Sequence, residues 1–327
     1  MADKINRRKL LATAGAGVVA ASVRGAHAAD PWPSKPIKVV MPFGAGGSMD
    51  VLSRLLAPIV SEQLGQQVVV ENRAGATGTV AMAAVASAPA DGYTLMFTGS
   101  SYPIVSLLMR NLPFTMDAFT PLSRLTIGPT ILCVPSTLGP RTLAQFVAAA
   151  KAQPGKWSYG SSGIGTSVHL GGELFKMDAG VDLAHVPYKA TPAIVADLIE
   201  SRLQMSVLGV TDVRQYIRSG QVLGLALSHT ERMQEFPDIP TFAEAGYPKV
   251  RASNDFGLAI RSDTPAPIKT RIEEAYRTAV RRPEIVQKLA DIGLIVVATS
   301  SAEFARVLAE DAARYTEVIR AANVRLE

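Results

Sequence analysis

Short apolar runs alternate with stretches of helical period along nearly the whole chain. IKVVM precedes a helical pattern at 48–64, QVVVEN an Ala-rich stretch at 76–88, and YTLMFT leads to TILCVP and a helix at 142–153. KWSYGSS then precedes a helix at 166–179, AHVPY one at 191–201 and LQMSVLG one at 212–219, before LGLALS closes the series. Strands separated by helices in this way predict an α/β architecture, with mostly parallel sheets flanked by helices. The end of the chain has a different rhythm. Thr264-Pro265 opens a helix to about Arg282, Pro283 opens another, and GLIVVAT reads as a strand ahead of a last helix. Ser300 and Glu303 form a capping box at its start. Phe304, Val307, Leu308, Tyr315, Val318 and Ile319 share one face of it, so it is expected to pack against a core.

Ahead of the first strand, Lys4, Arg7, Arg8 and Lys9 precede the apolar stretch 10–23, and Ala26-His27-Ala28 follows. A basic start, a short apolar core and small residues at a cleavage point define an export signal over 1–28. Its apolar core of 14 residues is too short to span a bilayer comfortably. The Arg7-Arg8 pair leans toward a twin-arginine route, and Asn6 before it leaves the general secretory route open. The remaining 299 residues suit two cores better than one. Residues 29–128 with 255–327 are expected to form lobe 1 and 129–254 lobe 2, the chain crossing near GPTILCVP and NDFGLAIR.

The signal also changes the meaning of the charge. It holds five basic residues and one acid, a net of +4, which leaves +1 of the overall +5 for residues 29–327. Nothing in that balance attracts a polyanion, so nucleic acid is excluded as a partner. Cys133 is the one cysteine, which rules out an intrachain disulfide or a Cys-rich metal site, and its apolar surroundings predict a small buried hydrophobe. His27 leaves with the signal. His169, His185 and His229 show no spacing that forms a triad or a zinc site, and Glu173, one helical turn from His169, does not supply one.

The chemistry gathers where strands end in glycine-rich turns. In PFGAGGSMD, Gly44, Gly46, Gly47 and Ser48 can aim backbone N–H groups at an anion, with the dipole of the following helix adding positive potential. Asp50 orients that loop or a water, or serves only the helix start with Arg54 as its partner. Thr98, Gly99 and Ser100 follow YTLMF as further donors, or cap a helix. A second strand, turn and helix at 156–175 carries Ser161, Ser162, Gly165 and Thr166, and two such turns can face each other across a cleft. Ser162 is followed by Gly163 and Ile164, so no nucleophile elbow forms. Lys189 reaches the cleft or stays solvated. A rival reading takes Gly44 and Gly46 as a dinucleotide fingerprint with Glu71 as the ribose acid, in an exported Rossmann-type oxidoreductase. Against it, Met49 occupies the third small position and Asp50 would oppose a pyrophosphate.

Taken in order, PFGAGGSMD, LGQQVVVENRAGATG, PADGYTL, YGSSGIGTSVHLGGELF, HVPYKATPA, PDIPTFAEAGYP and the APIKTRI to GLIVV end make the chain resemble the Bug-type receptors, the substrate-binding proteins of tripartite tricarboxylate transporters. The resemblance implies a periplasmic, two-lobed, Venus-flytrap fold that closes on a carboxylate, without catalysis or cofactor. Its implied partners are a small organic acid and membrane transporter subunits or a sensor, with the receptor itself a monomer. It also implies ligand contacts from Gly46, Gly47, Ser48 and Asp50, from Thr98, Gly99 and Ser100, and from Ser161, Ser162, Gly165 and Thr166 opposite. Ala190 replaces a glycine common after VPYK, which puts a methyl group in a cleft loop. Asp212 falls near a position where some members offer polar contacts.

Overall fold

A computed structural model describes residues 32–99, 102–109 and 111–325. The expected export signal and the site candidate Ser100 lie outside the described residues. The first sheet joins β1 (Ile37–Met41), β2 (Val68–Asn72), β3 (Thr94–Gly99), β4 (Phe119–Ile127), β10 (Phe256–Arg261) and β11 (Ile295–Val296) in the order β11-β4-β10-β3-β1-β2. β1 runs parallel to both β2 and β3, whereas β10 lies antiparallel between β3 and β4. A second sheet has the order β8-β5-β9, from β5 (Thr130–Pro135), β8 (Ser206–Gly209) and β9 (Val222–Ser228), with β5 antiparallel to both neighbours. β6 (Trp157–Ser161) pairs in parallel with β7 (Leu183–Pro187) and touches the second sheet through a bridge from Tyr159 to Met205.

The two-lobed α/β fold therefore combines both strand directions. Strands that alternate with helices run parallel. β5 and β10 run against their neighbours because each enters its sheet directly from the other sheet, with no crossover helix to return the chain to the starting edge. The two passages lie side by side. Gly128 N donates to Asn254 O at 2.9 Å, Asn254 N donates to Gly128 O at 2.7 Å, and Pro129 pairs with Ser253.

Most helices fall where the periodicity predicts them: α1 (Ser48–Leu64), α2 (Thr79–Ala86), α4 (Leu143–Lys151), α5 (Ser167–Ala179), α6 (Thr191–Ile199), α7 (Val210–Arg218), α8 (Ala266–Val280), α9 (Pro283–Asp291) and α10 (Ser301–Ala321). α3 (Tyr102–Leu108) and β4 were not among the predicted elements. Ser300 caps α10 by accepting the Glu303 N–H at 3.2 Å, and Phe304, Tyr315 and Val318 are buried on its packed face.

β5 is buried along its whole length, and its side chains divide between two cores. Leu132 and Val134 join Phe146, Tyr159 and Phe175, while Ile131 and Cys133 join Ile194, Leu198 and Val213. That period-two division is what a strand covered on both faces requires. Cys133 is a free, fully buried thiol that packs as a small hydrophobe, and burial pushes its pKa up. A further cluster of Ile104, Leu108, Leu170, Leu174, Tyr315 and Val318 brings α3, α5 and α10 together. Among the described residues no helix is long and apolar enough to cross a membrane.

Candidate functional site

The turn after β1 is built around Asp50, the third residue of α1. Its Oδ2 accepts from Gly46 N at 3.1 Å and from Arg54 Nε at 3.0 Å, and its Oδ1 accepts from Asn72 Nδ2 at 2.9 Å. Asn72 also donates to Phe43 O, and its Oδ1 accepts from Arg54. Burial alone would raise the Asp50 pKa; the hydrogen bonds from Arg54, Asn72 and Gly46 outweigh it and hold the carboxyl below its ordinary value. Asp50 thus braces the loop. Gly46 sits at φ +89, a left-handed conformation that L side chains resist, which explains why the turn needs a glycine there.

This bracing leaves the start of α1 open. Gly47 is its N-cap and, lacking a side chain, provides no cap, so the first-turn amides have no acceptor inside the helix. They face a cavity of about 230 Å³ lined by Gly44, Gly47, Ser48 and Asp50 on one side and by Thr211, Asp212 and Asn254 on the other. Met41, Phe43, Phe256 and Leu294 supply apolar wall, and Gly128 joins Asn254 from the paired passages. The cavity therefore draws on the edges of both sheets.

Asp212, the third residue of α7, takes no hydrogen bond or ion pair from any described residue. Its side chain is exposed and lines the cavity, and the protein packed around it pushes its pKa up to about 6. A Cβ on Gly209 would lie 2.8 Å from Asn254 Nδ2 and 2.9 Å from Asp212 Oδ2, so the glycine leaves room for both to converge. Asn254 Oδ1 accepts from Ser167 Oγ at 2.8 Å, which turns its Nδ2 toward that spot.

The turn after β6 is closed on itself. Gly165 N donates to His169 Nδ1 at 3.0 Å, Thr166 Oγ1 accepts from His169 N and donates to Gly163 O, and Ser161 Oγ lies 2.6 Å from His185 Nε2. His169 and His185 stack at 4.0 Å, with Tyr159 donating to Glu173 at 2.5 Å behind them. Burial, reinforced by the neighbouring His185, lowers the His169 pKa to about 4, so the ring is neutral. The sequence showed these histidines as unrelated; the fold makes them a bracing pair. Among the described residues, no three or more His, Cys, Asp or Glu gather as a metal site.

Of the sequence candidates, Gly44, Gly47, Ser48 and Asp50 line the cavity, while Gly46 supports them. Thr98 and Gly99 border a separate space of about 10 Å³ beside Pro42 and Tyr102, where the buried Thr98 hydroxyl has no partner. Ser161, Ser162, Gly165 and Thr166 do not line the 230 Å³ cavity, although Ser167, next in the chain, reaches it through Asn254. Lys189 and Ala190 are exposed at the start of α6. Ala190 has φ −157, ordinary extended backbone, so its methyl carries no strain. Sequence reasoning noted Asp212 near a position of polar contacts in the family but assigned neither it nor Asn254 to the site. Asn254 comes from the paired passages and Asp212 from the facing helix, and no pattern within either segment brings the two together.

Two larger cavities, about 380 and 400 Å³, border α10, with Arg251 and Arg314 in both walls and Arg124 in one. No residue of either turn lines them, and Arg124 and Arg314 are already paired with Asp255 and Asp311.

A cleft between two α/β sheets, joined by paired passages and overlooked by an uncapped helix start, defines a solute-binding receptor with the periplasmic-binding-protein fold. Residues 52–324 match the family described as tripartite tricarboxylate transporter family receptor, and the chain belongs to that family. It is similar to Protein BugT of Bordetella pertussis, 32% identical over 99% of this chain and 100% of that one. Among solved structures, Rpa4515 of R. palustris with adipate is 30% identical, with a TM-score of 0.78 over 90% of this chain and 99% of that one. MatC from Rhodopseudomonas palustris with bound malate is 27% identical, with a TM-score of 0.75 over 88% and 99%. A match to a family of transporter receptors, with similar structures solved with adipate and with malate, makes the chain a solute receptor, and the oxidoreductase alternative falls away.

Proposed function

We propose that this receptor binds a small organic carboxylate in the 230 Å³ cavity and delivers it to the membrane subunits of a tripartite tricarboxylate-type transporter. The observation that carries this reading is the uncapped start of α1 at Gly47, opening onto that cavity. Unsatisfied amides on a helix N-terminus favour an anion without needing a buried cation. Charge-assisted hydrogen bonds contribute about 1.5–3 kcal/mol each, so three or four suffice for micromolar affinity after ordering costs. The bound dicarboxylates of the two Rhodopseudomonas receptors support the ligand class.

The lobes of this reading are 29–128 with 255–327, and 129–254, closing about the paired passages at Gly128 and Asn254. The receptor works in the periplasm as a monomer after removal of residues 1–28, by the twin-arginine or the general secretory route. Titration calorimetry of the purified mature chain against mono-, di- and tricarboxylates tests the function. Micromolar binding of at least one is expected, and a panel with no binder would reject the carboxylate reading.

A further inference from the structure

The two sheets are joined by more than the paired passages. α7 leaves β8 of the second sheet, α9 leads into β11 of the first, and the start of α7 meets the end of α9 beside the cavity. Gly293, just past α9, takes φ +82, and the turn this allows brings Gly293 N to Ala290 O and Leu294 N to Leu289 O, each at 2.9 Å. That turn does not use Asp291 O, the last carbonyl of α9, and Arg214 Nη1 donates to it from α7. Glu235 holds the guanidinium in place, accepting from Arg214 Nε at 3.1 Å and from Nη2 at 2.6 Å. The two side chains are only 16% and 14% exposed, so the paired fork is fixed in direction and little screened. A cation there also meets the negative end of the α9 dipole.

The approach of the two helices is close. A Cβ on Gly293 would lie 3.1 Å from Val210 Cγ1 and 3.5 Å from Thr211 N, and Thr211 and Leu294, next to that contact, both line the cavity. The cluster that brings α5 against α3 and α10 also links elements of the two sheets, but it is apolar and lines no part of the cavity. Packing of that kind can slide in small steps, whereas a directional hydrogen bond is either made or broken. We propose that Arg214 is a positioning residue for closure: its guanidinium, oriented by Glu235, latches α7 onto the end of α9 when the cleft shuts and lets go when it opens. The latch raises the share of closed receptors before any guest arrives, so that a solute has less of the equilibrium left to shift. This goes beyond the carboxylate reading and is independent of which solute binds.

Spin-label distance measurements on the empty mature chain test this. Labels go on Gln215→Cys in α7 and Val286→Cys in α9, both exposed, and Cys133, the one cysteine of the chain, is fully buried and stays unlabelled. The unaltered latch should show a population at the separation seen in this structure. Arg214→Ala should lower the ratio of that population to longer distances about tenfold, ~1.4 kcal/mol. Arg214→Lys, which cannot pair with both oxygens of Glu235 and still reach Asp291 O, should fall between the two. A distance distribution unmoved by Arg214→Ala, even with a lower melting temperature, would overturn the inference, as would an unaltered latch with no population at the separation seen here. If Arg214→Ala does not fold, Arg214→Lys and Glu235→Gln decide it, with a smaller shift expected in the same direction and none overturning it. No solute is added, so failure here leaves the carboxylate reading standing.

Discussion

The turns after β1 and β6 share one plan, a strand, a glycine-rich bend and a helix, and they are finished in opposite ways. The first is braced from behind by a charged group, Asp50 with Arg54 and Asn72, and its helix start is left uncapped. The second is braced by neutral imidazoles, and Thr166 caps its helix. What separates an open turn from a closed one is thus whether its own side chains already use its amides. Glycine content does not distinguish them.

The largest expected effect comes from filling the open turn. Gly47 lies at φ −77 and ψ 166, and a Cβ there meets nothing within 4 Å, so Gly47→Val fits the backbone and intrudes on the cavity. Calorimetry should show carboxylate affinity falling by about a hundredfold, ~2.7 kcal/mol, with the melting temperature nearly unchanged. Gly165 at φ +77 should behave inversely: Gly165→Val should lower the melting temperature, since its cost is backbone strain. Equal loss of binding in folded Gly165→Val would break the contrast.

Acid should separate the two braces next. The folded pKa of His169 lies near 4 against an ordinary 6.5, so between these values the unfolded chain binds more protons. Its stabilisation is full above pH 6.5 and drains away as pH falls toward 4, about 2 kcal/mol between pH 7 and 5. Asp50 has the opposite chemistry. Its lowered pKa gives a contribution that is intact above 3.8 and lost only in stronger acid. Thermal melts at pH 7 and 5 should therefore show a drop in the unaltered chain that shrinks in His169→Asn and persists in Asp50→Asn.

Two smaller changes sharpen the comparison. Asp50→Asn removes the charge from three hydrogen bonds and should cost about 1–2 kcal/mol in denaturant unfolding, together with weaker carboxylate binding as Gly46 loosens. Thr166→Ala removes only the α5 cap and should cost about 1 kcal/mol in the same assay, with binding little changed.

How much of this was legible follows from where each signal resides. The limits of α1 could be read locally, from a glycine turn at one end and Gly65 at the other. β4 was hidden because FTPLSRLTI interrupts its apolar residues with Pro121, Ser123 and Arg124. Their partners lie far along the chain, Thr299 O for Ser123 and Asp255 for Arg124. The direction of β10 is likewise a property of its neighbours, as no pattern within FGLAIR records which way it will run. In the site, the first turn announced itself through composition, whereas Asp212 was marked only by the family resemblance and is locally an ordinary acid in a first helical turn. Its significance arises only when the second sheet swings that helix toward Gly47. His169 and His185 were likewise unremarkable until stacked.

The paired passages at Gly128 and Asn254 have a mechanical corollary. Two strands tied to each other by reciprocal hydrogen bonds behave as a single strap, which bends readily across its width but resists being wrung, since torsion would pull both bonds apart. Opening should accordingly trace one arc. Because Asn254 belongs at once to that strap and to the cavity wall, a guest bound as proposed would press directly on the strap.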